Sequence, residues 1–440
     1  MRRDFVLMLA ATFGAFVNYA VLLTVVPMWA VSGGAGAAGA GGTTGAFMLV
    51  TVLTQLGVPW MLRRVGYRWV LVAGILALGV PAIGYAVSSA LPVLMAVSVV
   101  RGVGFGMVTV AGAGLVPHLL PRWAHGRGAG LYGLAIGTPN LLALPLGVWA
   151  AGHIGYRPIF VVLTALPVAG ALVAVAMKTN RTADAPTPRA ASELGARTSQ
   201  APADGEPDAR TRVDGDPGAR TERARAEGQP GTGTGRARAD GQPDTRTRRA
   251  ATLRPLVAPW LMLWTSAIIA GGLLTFLPIA VAHTAAGIVP VALLAFSAGA
   301  MGSRWGAGVL NDRRGMGRSL PVAIVSGVVG ASGLVAATLT GGGAVTAAVT
   351  VAGALAVGLG FGAVQNDTLV IMFASGSGYG LASAVWNTAF DAGTGAAAVG
   401  VGLIVQHLGY PVGFGVSGVV ALACLPLALR RFSRRIPDQV

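Results

Sequence analysis

FVLMLAATFGAFVNYAVLLTVVPMWAVSGGAGAAGAGGTTGAFMLVTVLTQLGVPWML, residues 5–62, contains no Asp, Glu, Lys or Arg. An α-helix crosses hydrocarbon with ~20 apolar residues. This run is too long for one span and suits two, divided by the Gly/Ala-rich stretch SGGAGAAGAGG at 32–42. With MRRDF leading straight into it and no small-residue cleavage site, the start reads as a first span rather than a removed signal peptide.

The same arithmetic extends outward. Residues 69–121 hold one charge, Arg101, and break near Ser88–Pro92. Residues 128–177 hold only Arg157 and break at AGHIGYRP, 151–158. Residues 255–303 break around His283–Gly287, and 319–429 hold four spans interrupted only by Asp367 and Asp391. The expected fold is an all-α polytopic membrane protein of about twelve helices. The runs do not alternate polar with apolar residues, which excludes a β-barrel.

Composition agrees. Of 440 residues, 54% are hydrophobic and 11% charged, with mean hydropathy +0.67; a soluble domain carries about 25% charge. Gly occurs 66 times without a G-x-y period, a density that suits close helix approach in lipid. The net charge of +16 is no nucleic-acid signal. Residues 178–254 contain 15 of the 32 Lys and Arg and 11 of the 16 acids, and most of the other basic residues sit in short clusters between apolar runs. The lone Cys424 permits no intramolecular disulfide or cysteine metal cluster. No G-x-x-x-x-G-K-[ST], H-E-x-x-H or Cys/His ligand set occurs, so the chain reads as a non-enzyme without cofactor or metal.

Residues 178–253 are rich in Arg, acids, Pro, Gly and Thr, with loose repeats DGEP (204–207), DGDP (214–217), EGQP (227–230) and DGQP (240–243). Too apolar-poor to offset chain entropy, this segment is expected to be a disordered linker between six-helix bundles at 1–177 and 254–440. Arg2/Arg3, Arg63/Arg64/Arg68, Arg122/Arg127, Arg313/Arg314/Arg318 and Arg430/Arg431/Arg434/Arg435 fall on one side if the helices alternate. The opposite loops carry only Arg157. The positive-inside rule then puts both termini and the linker in the cytoplasm, in a bacterial inner membrane.

The halves read as copies. GVGFG at 102–106 returns as GLGFG at 358–362, HIGY at 153–156 as HLGY at 407–410, and RRVG at 63–66 as DRRG at 312–315, with offsets of 256, 254 and 249. Parallel repeats of six helices are a layout of transporters that rock two bundles about a midplane site.

The stretch GVLNDRRGMGR at 308–318 resembles the cytoplasmic loop signature of the major facilitator superfamily, G-x-L-x-D-R-x-G-x-R. Its first-half counterpart, PWMLRRVGYR at 59–68, has Arg63 for the family's Asp and Pro59 for its Gly. GLASAVWNTAFDAGTGAAAVGVGL at 380–403 is similar to the eleventh helix of bacterial efflux-type members. Arg101, followed by Gly102, Gly104 and Gly106, resembles the arginine of the drug–proton antiporter signature in the fourth helix, without its glutamine. GLAIGTPNLLALPLG at 133–147 loosely resembles the signature of the fifth helix, with its Gly-Pro pair split by Thr138. The resemblance implies solute transport by alternating access.

Site candidates follow. Only Asp4, Asp312, Asp367, Asp391 and Asp438 are acidic outside the linker. Asp391 falls mid-helix, where an ionised carboxylate must face a cavity or a partner; it is the leading proton carrier, with Arg101 and Asp367 as further coupling candidates and Asn387 on its helix face as a possible partner. Asn18, Tyr19, Asn140, Gln365, Asn366, Trp386 and Asn387 are the cavity candidates, with Gln55 in a wider polar set. Gly308, Asp312, Arg313, Gly315 and Arg318 form a gating loop, in which Asp312 and Arg313 can bond a neighbouring helix end. Arg304 reads as a snorkelling structural residue. The expected partners are a small-molecule substrate, protons and the lipid bilayer, with the chain a monomer and no nucleic acid bound. The leading function is proton-coupled efflux of a small amphipathic or drug-like molecule. Proton-coupled uptake of a sugar or small organic acid, and a non-transporting receptor or scaffold, stay open.

Overall fold

Lipid leaves backbone N–H and C=O groups no partner but one another, and the described residues answer with helices joined by short turns. The structure, a computed structural model, describes residues 3–121, 125–178, 245–281, 286–377 and 379–429. The expected linker from residue 179 to 244, together with Arg2, Arg122, His283, Arg430/Arg431/Arg434/Arg435 and Asp438, lies outside the described residues.

The helices are α1 (Arg3–Ser32), α2 (Ala37–Val65), α3 (Tyr67–Gly79, continued through a 3₁₀ turn to Val87), α4 (Leu91–Leu119), α5 (His125–Ile154) and α6 (Tyr156–Val175). The second half has α7 (Thr245–Ala280), α8 (Val289–Arg314), α9 (Leu320–Leu339), α10 (Gly343–Phe373), α11 (Tyr379–Ala396, continued through a π turn, Ala397–Val401, to Leu408) and α12 (Tyr410–Leu422, with a last turn at Leu425–Ala428). Eleven are long and apolar enough to cross a membrane. The twelfth is α8, whose end carries Arg304, Asn311, Asp312, Arg313 and Arg314. The first turns of α7 begin at Thr245, ahead of the linker boundary expected at 253.

The sequence repeats are repeats of structure. Gly66 and Gly315 end α2 and α8 at φ +88° and +96°; Gly155 and Gly409 end α5 and α11 at φ +80° and +83°. Only glycine adopts such backbone freely, so RRVG matches DRRG and HIGY matches HLGY because each pair makes the same turn.

GVGFG and GLGFG wedge α4 and α10 into their bundles. A Cβ on Gly102 or Gly106 would overlap carbonyls of Phe47 and Thr51 on α2, and one on Gly104 the backbone of α3 at Leu78. In the second half Gly358 and Gly362 lie against carbonyls of Phe296 and Ala300 on α8, and Gly360 against Ala323 on α9. The glycine face beside Arg101 therefore serves helix packing, and its counterpart α10 has Val357 where α4 has Arg101.

Candidate functional site

Two ends of the molecule are distinguished by their loops. The basic end carries the turns at Gly66 and Gly315; the opposite end carries those at Ser88–Ala90, Gly155, Gly342 and Gly409.

In the first half, Arg101 on α4 is buried, 4% exposed. Its Nε donates to the Leu78 carbonyl at 3.1 Å, one terminal nitrogen to the Tyr85 hydroxyl at 3.2 Å and the other to Asn18 Oδ1 at 3.0 Å. Asn18 passes the bond on, donating to the Leu163 carbonyl at 2.6 Å; Tyr85 and Ser98 share a 2.8 Å bond. The guanidinium lies over the rings of Phe47 and Tyr85. One side chain thus joins α1, α3 and α4, and through Asn18 also α6, using neutral acceptors alone. The expected coupling candidate is thus a fork held by its own bundle. Tyr19, stacked on Phe105 at 4.1 Å between ring centres, lines a small cavity with Arg101, Thr43, Thr44 and Phe47. Its buried hydroxyl has no hydrogen-bond partner among the described residues.

Asp391, 3% exposed on α11, sits where the halves meet. Its Oδ2 accepts a 2.7 Å hydrogen bond from Gln55 Nε2 on α2, and Gln55 also reaches Thr109 Oγ1 on α4 at 3.3 Å. Asn387, expected to support Asp391, instead donates to Ser383 O of its own helix at 2.8 Å. A short amide finds the i−4 carbonyl more readily than a carboxylate one turn on. The partner is Gln55, from the other half of the chain. A second crossing joins α8 to α5, where Ser297 Oγ donates to the Asn140 carbonyl at 2.9 Å; the Asn140 amide itself bonds Ile136 O of its own helix at 2.9 Å.

From Asp391 toward the opposite end the halves are in close contact. Gly395 faces Met48, Gly45 faces Val399, Gly41 faces the Ala398 carbonyl, and Gln406 caps Ala38 N at 3.3 Å. Toward the basic end the same stripes come apart. On α11 burial falls from Ala398 and Asp391 to half-buried Asn387 and exposed Ala384, and on α2 from Gln55 to exposed Pro59. The seam is shut at the opposite end and open at the basic end.

Along the open part, Arg304 on α8 donates to Gln365 Oε1 on α10 at 2.9 Å and lies 5.7 Å from the ring centre of Trp386 on α11. Trp386 is pinned by its Nε1 to the Gln365 carbonyl at 3.2 Å and to Thr368 Oγ1 at 3.3 Å. Arg304 therefore belongs to the polar face between helices; position along the helix suggested an interfacial residue, but the face is set by its neighbours. Asn366 sits beside Gly308.

Asp367 lies apart from the seam. Fully buried, it accepts from Asn311 Nδ2 at 2.7 Å on one oxygen and from Ser319 Oγ on the other, while Asn311 Oδ1 accepts from Gly317 N at 3.2 Å. This bracket ties α10 to the turn after α8. Within that turn Gly315 supplies the backbone reversal, while Asp312, Arg313 and Arg318 are exposed and form no hydrogen bond or ion pair among the described residues. The residue that holds the loop is Asn311, one helical step before Asp312 and hence about 100° around the helix, facing α10.

Two like halves of six helices, polar groups gathered on the seam between them, and a seam shut at one end and open at the other define a membrane transporter of the alternating-access class. The chain belongs to the Major Facilitator Superfamily, whose family model matches residues 8–381. Similar solved structures include a bacterial homolog of the human lysosomal transporter Spinster, inward-facing and occupied, at TM-score 0.69 and 12% identity over 96% of this chain and 95% of that one. A peptide transporter, POT, solved in complex with sulfate, aligns at TM-score 0.69 and 15% identity over 98% of this chain and 94% of that one. No curated protein sequence matches the chain. The protein is a secondary transporter embedded in a membrane and acts on a small molecule.

Proposed function

We propose that the protein exports a small amphipathic organic molecule in exchange for protons, with Asp391 as the proton-carrying group. The observation that carries this reading is the bond between Asp391 and Gln55, a buried carboxylate held by an amide from the other half of the chain. A charge-assisted bond is roughly twice as strong as a neutral one. Protonation of Asp391 weakens it, and a solute that offers Gln55 another acceptor weakens it too. Exchange requires that proton and solute compete for one group, and the Gln55–Asp391 pair is where we infer that competition.

The lining supports the solute class. Leu22, Leu23, Val26, Phe47 and Tyr19 supply apolar and aromatic surface to the small first-half cavity, beside Thr43, Thr44, Ser98 and Arg101, and the half-buried rings of Phe390 and Trp386 stack in the second half. A sugar would need many hydrogen-bonding groups, since each unpaired buried polar group costs about 1–3 kcal/mol. The export direction rests on the likeness of residues 380–403 to efflux-type helices. The arginine clusters support a cytoplasmic basic end in a bacterial inner membrane, and the proposed site draws on one chain, which supports a monomer.

Proteoliposomes with an imposed pH gradient and a panel of labelled metabolites test the reading. The expected result is gradient-driven movement of amphipathic compounds, abolished in Asp391→Asn while solute exchange continues. Inward accumulation of one polar nutrient, or unchanged pH-dependent transport in Asp391→Asn, refutes it. Maleimide labelling of Arg64→Cys only from inside, and of Ala90→Cys only from outside, in a Cys424→Ser background tests the orientation.

A further inference from the structure

Arg101 and Arg304 are both arginines deep in helices, yet only one is free to receive a ligand. Arg101 is buried with each of its three nitrogens bonded inside its own bundle. Arg304 is exposed and makes one hydrogen bond among the described residues, to a neutral amide.

Its surroundings give it a direction. Ser297, Met301, Arg304 and Gly308 follow one another at helical spacing, so they share a face of α8. At Ser297 that face bonds the Asn140 carbonyl of α5, and Met301 lies 3.8 Å from a Cβ built on Gly137 of α5. Arg304 comes one turn further toward the basic end. Because α5 runs antiparallel, the residue facing that level is Gly133, and a Cβ there meets nothing within 4 Å. A cation thus borders unfilled space between the halves, at the end where the seam is open.

Beside it, Trp386, Phe390, Phe361 and Phe296 form a ring series at 6.2, 5.8 and 6.0 Å between successive centres. The series leads from Arg304 toward the midplane. Trp386 is locked by two hydrogen bonds, so its face is presented without further ordering.

We propose that Arg304 and the ring of Trp386 form a subsite for the carboxylate end of a flat apolar acid, which makes the solute of the preceding section an aromatic or similarly planar organic anion. The inference rests on that reading for its solute and adds the charge. A guanidinium with unused donors takes a carboxylate through two parallel N–H···O bonds, and the half-buried rings of Trp386 and Phe390 take the apolar body, backed by buried Phe361 and Phe296. Gln365 takes one terminal nitrogen of the fork and leaves the other donors without a partner among the described residues.

Equilibrium binding tests this independently of any flux. The purified protein in neutral detergent is titrated with 2-naphthoate and with its uncharged isostere 2-naphthamide, by calorimetry. The acid is expected to bind at least about tenfold tighter than the amide, a single charge-assisted pair. Arg304→Gln is expected to reduce that preference to below about twofold, and Arg304→Lys to leave it intermediate, because the ammonium keeps charge without the fork. Gly133→Leu, which fills open space, is expected to weaken both compounds by about tenfold with the preference intact. Equal binding of acid and amide, binding of neither, or an unchanged preference in Arg304→Gln overturns the proposal. The titration is repeated with phosphatidylglycerol, and competitive displacement of the acid would assign Arg304 to a lipid headgroup, which also overturns it. Gradient-driven flux that persists while the naphthoate preference is absent removes this inference and leaves the transport reading standing; loss of flux with the preference present does the reverse.

Discussion

Gln55 on α2 and Asp391 on α11 are 336 residues apart in the chain and 2.7 Å apart across the seam. Gln55→Leu leaves the carboxylate to take up a proton or admit water, and in either case the charged bond between the halves is gone. Such a bond is worth about 1.5–3 kcal/mol, which moves a two-state population by about tenfold or more. Spin labels at Ala90 and Gly341, on the two halves at the opposite end, should report a longer distance in Gln55→Leu.

The bonds of Arg101 tie four helices of the first half together, so its substitution is expected to act on stability. Arg101→Lys cannot satisfy the Leu78 carbonyl, Tyr85 and Asn18 together, and each orphaned buried acceptor costs about 1–3 kcal/mol. Thermal unfolding in detergent should show a clear fall in the midpoint for Arg101→Lys and a near-unchanged midpoint for Arg304→Gln. The naphthoate preference should be retained in folded Arg101→Lys.

At Gly41 a side chain has nowhere to go, since a Cβ would overlap the Ala398 carbonyl. Gly41→Val should force α2 from α11 and unseal the opposite end. Thr44→Cys, buried beside that contact, should then react with an impermeant maleimide added from the opposite side, and stay protected when Gly41 is retained.

The loop after α8 separates two neighbours by role. Asn311→Ala strips a donor from fully buried Asp367 and an acceptor from Gly317 N, and should cost on the order of 2–3 kcal/mol. Asp312→Ala removes an exposed side chain and should stay within about 0.5 kcal/mol. Equal losses in thermal unfolding would contradict the bracket.

Lipid makes the fold legible: charge-free runs of span length can only be helices, and the repeated glycines at 66, 155, 315 and 409 mark equal turns in both halves. The site was legible in its residue types and much less in its pairings. Asp391 stands out as a lone deep acid, but nothing local to it points to Gln55, which lies in another helix of the other half. Asn18 and Arg101 are each conspicuous, yet their 3.0 Å bond depends on how α1 packs against α4. Distance along a helix says how deep Arg304 sits, and only the contacts of Ser297 and Met301 say which way its face turns. The loop signature drew the eye to Asp312, whereas a step of one residue rotates a side chain by about 100° and gives the contact to Asn311.

The bonds around Arg101 close upon one another within α1, α3, α4 and α6, while the donors of Arg304 do not. Descendants of this gene can therefore diverge in α8, α10 and α11, exchanging Arg304, Gln365 or Trp386 for other side chains, with little effect on whether the first half folds. Substitutions at Asn18, Tyr85 or Arg101 must instead arise together or be lost. Variation among relatives should accordingly be lopsided, with new transport preferences arising mainly through the second bundle.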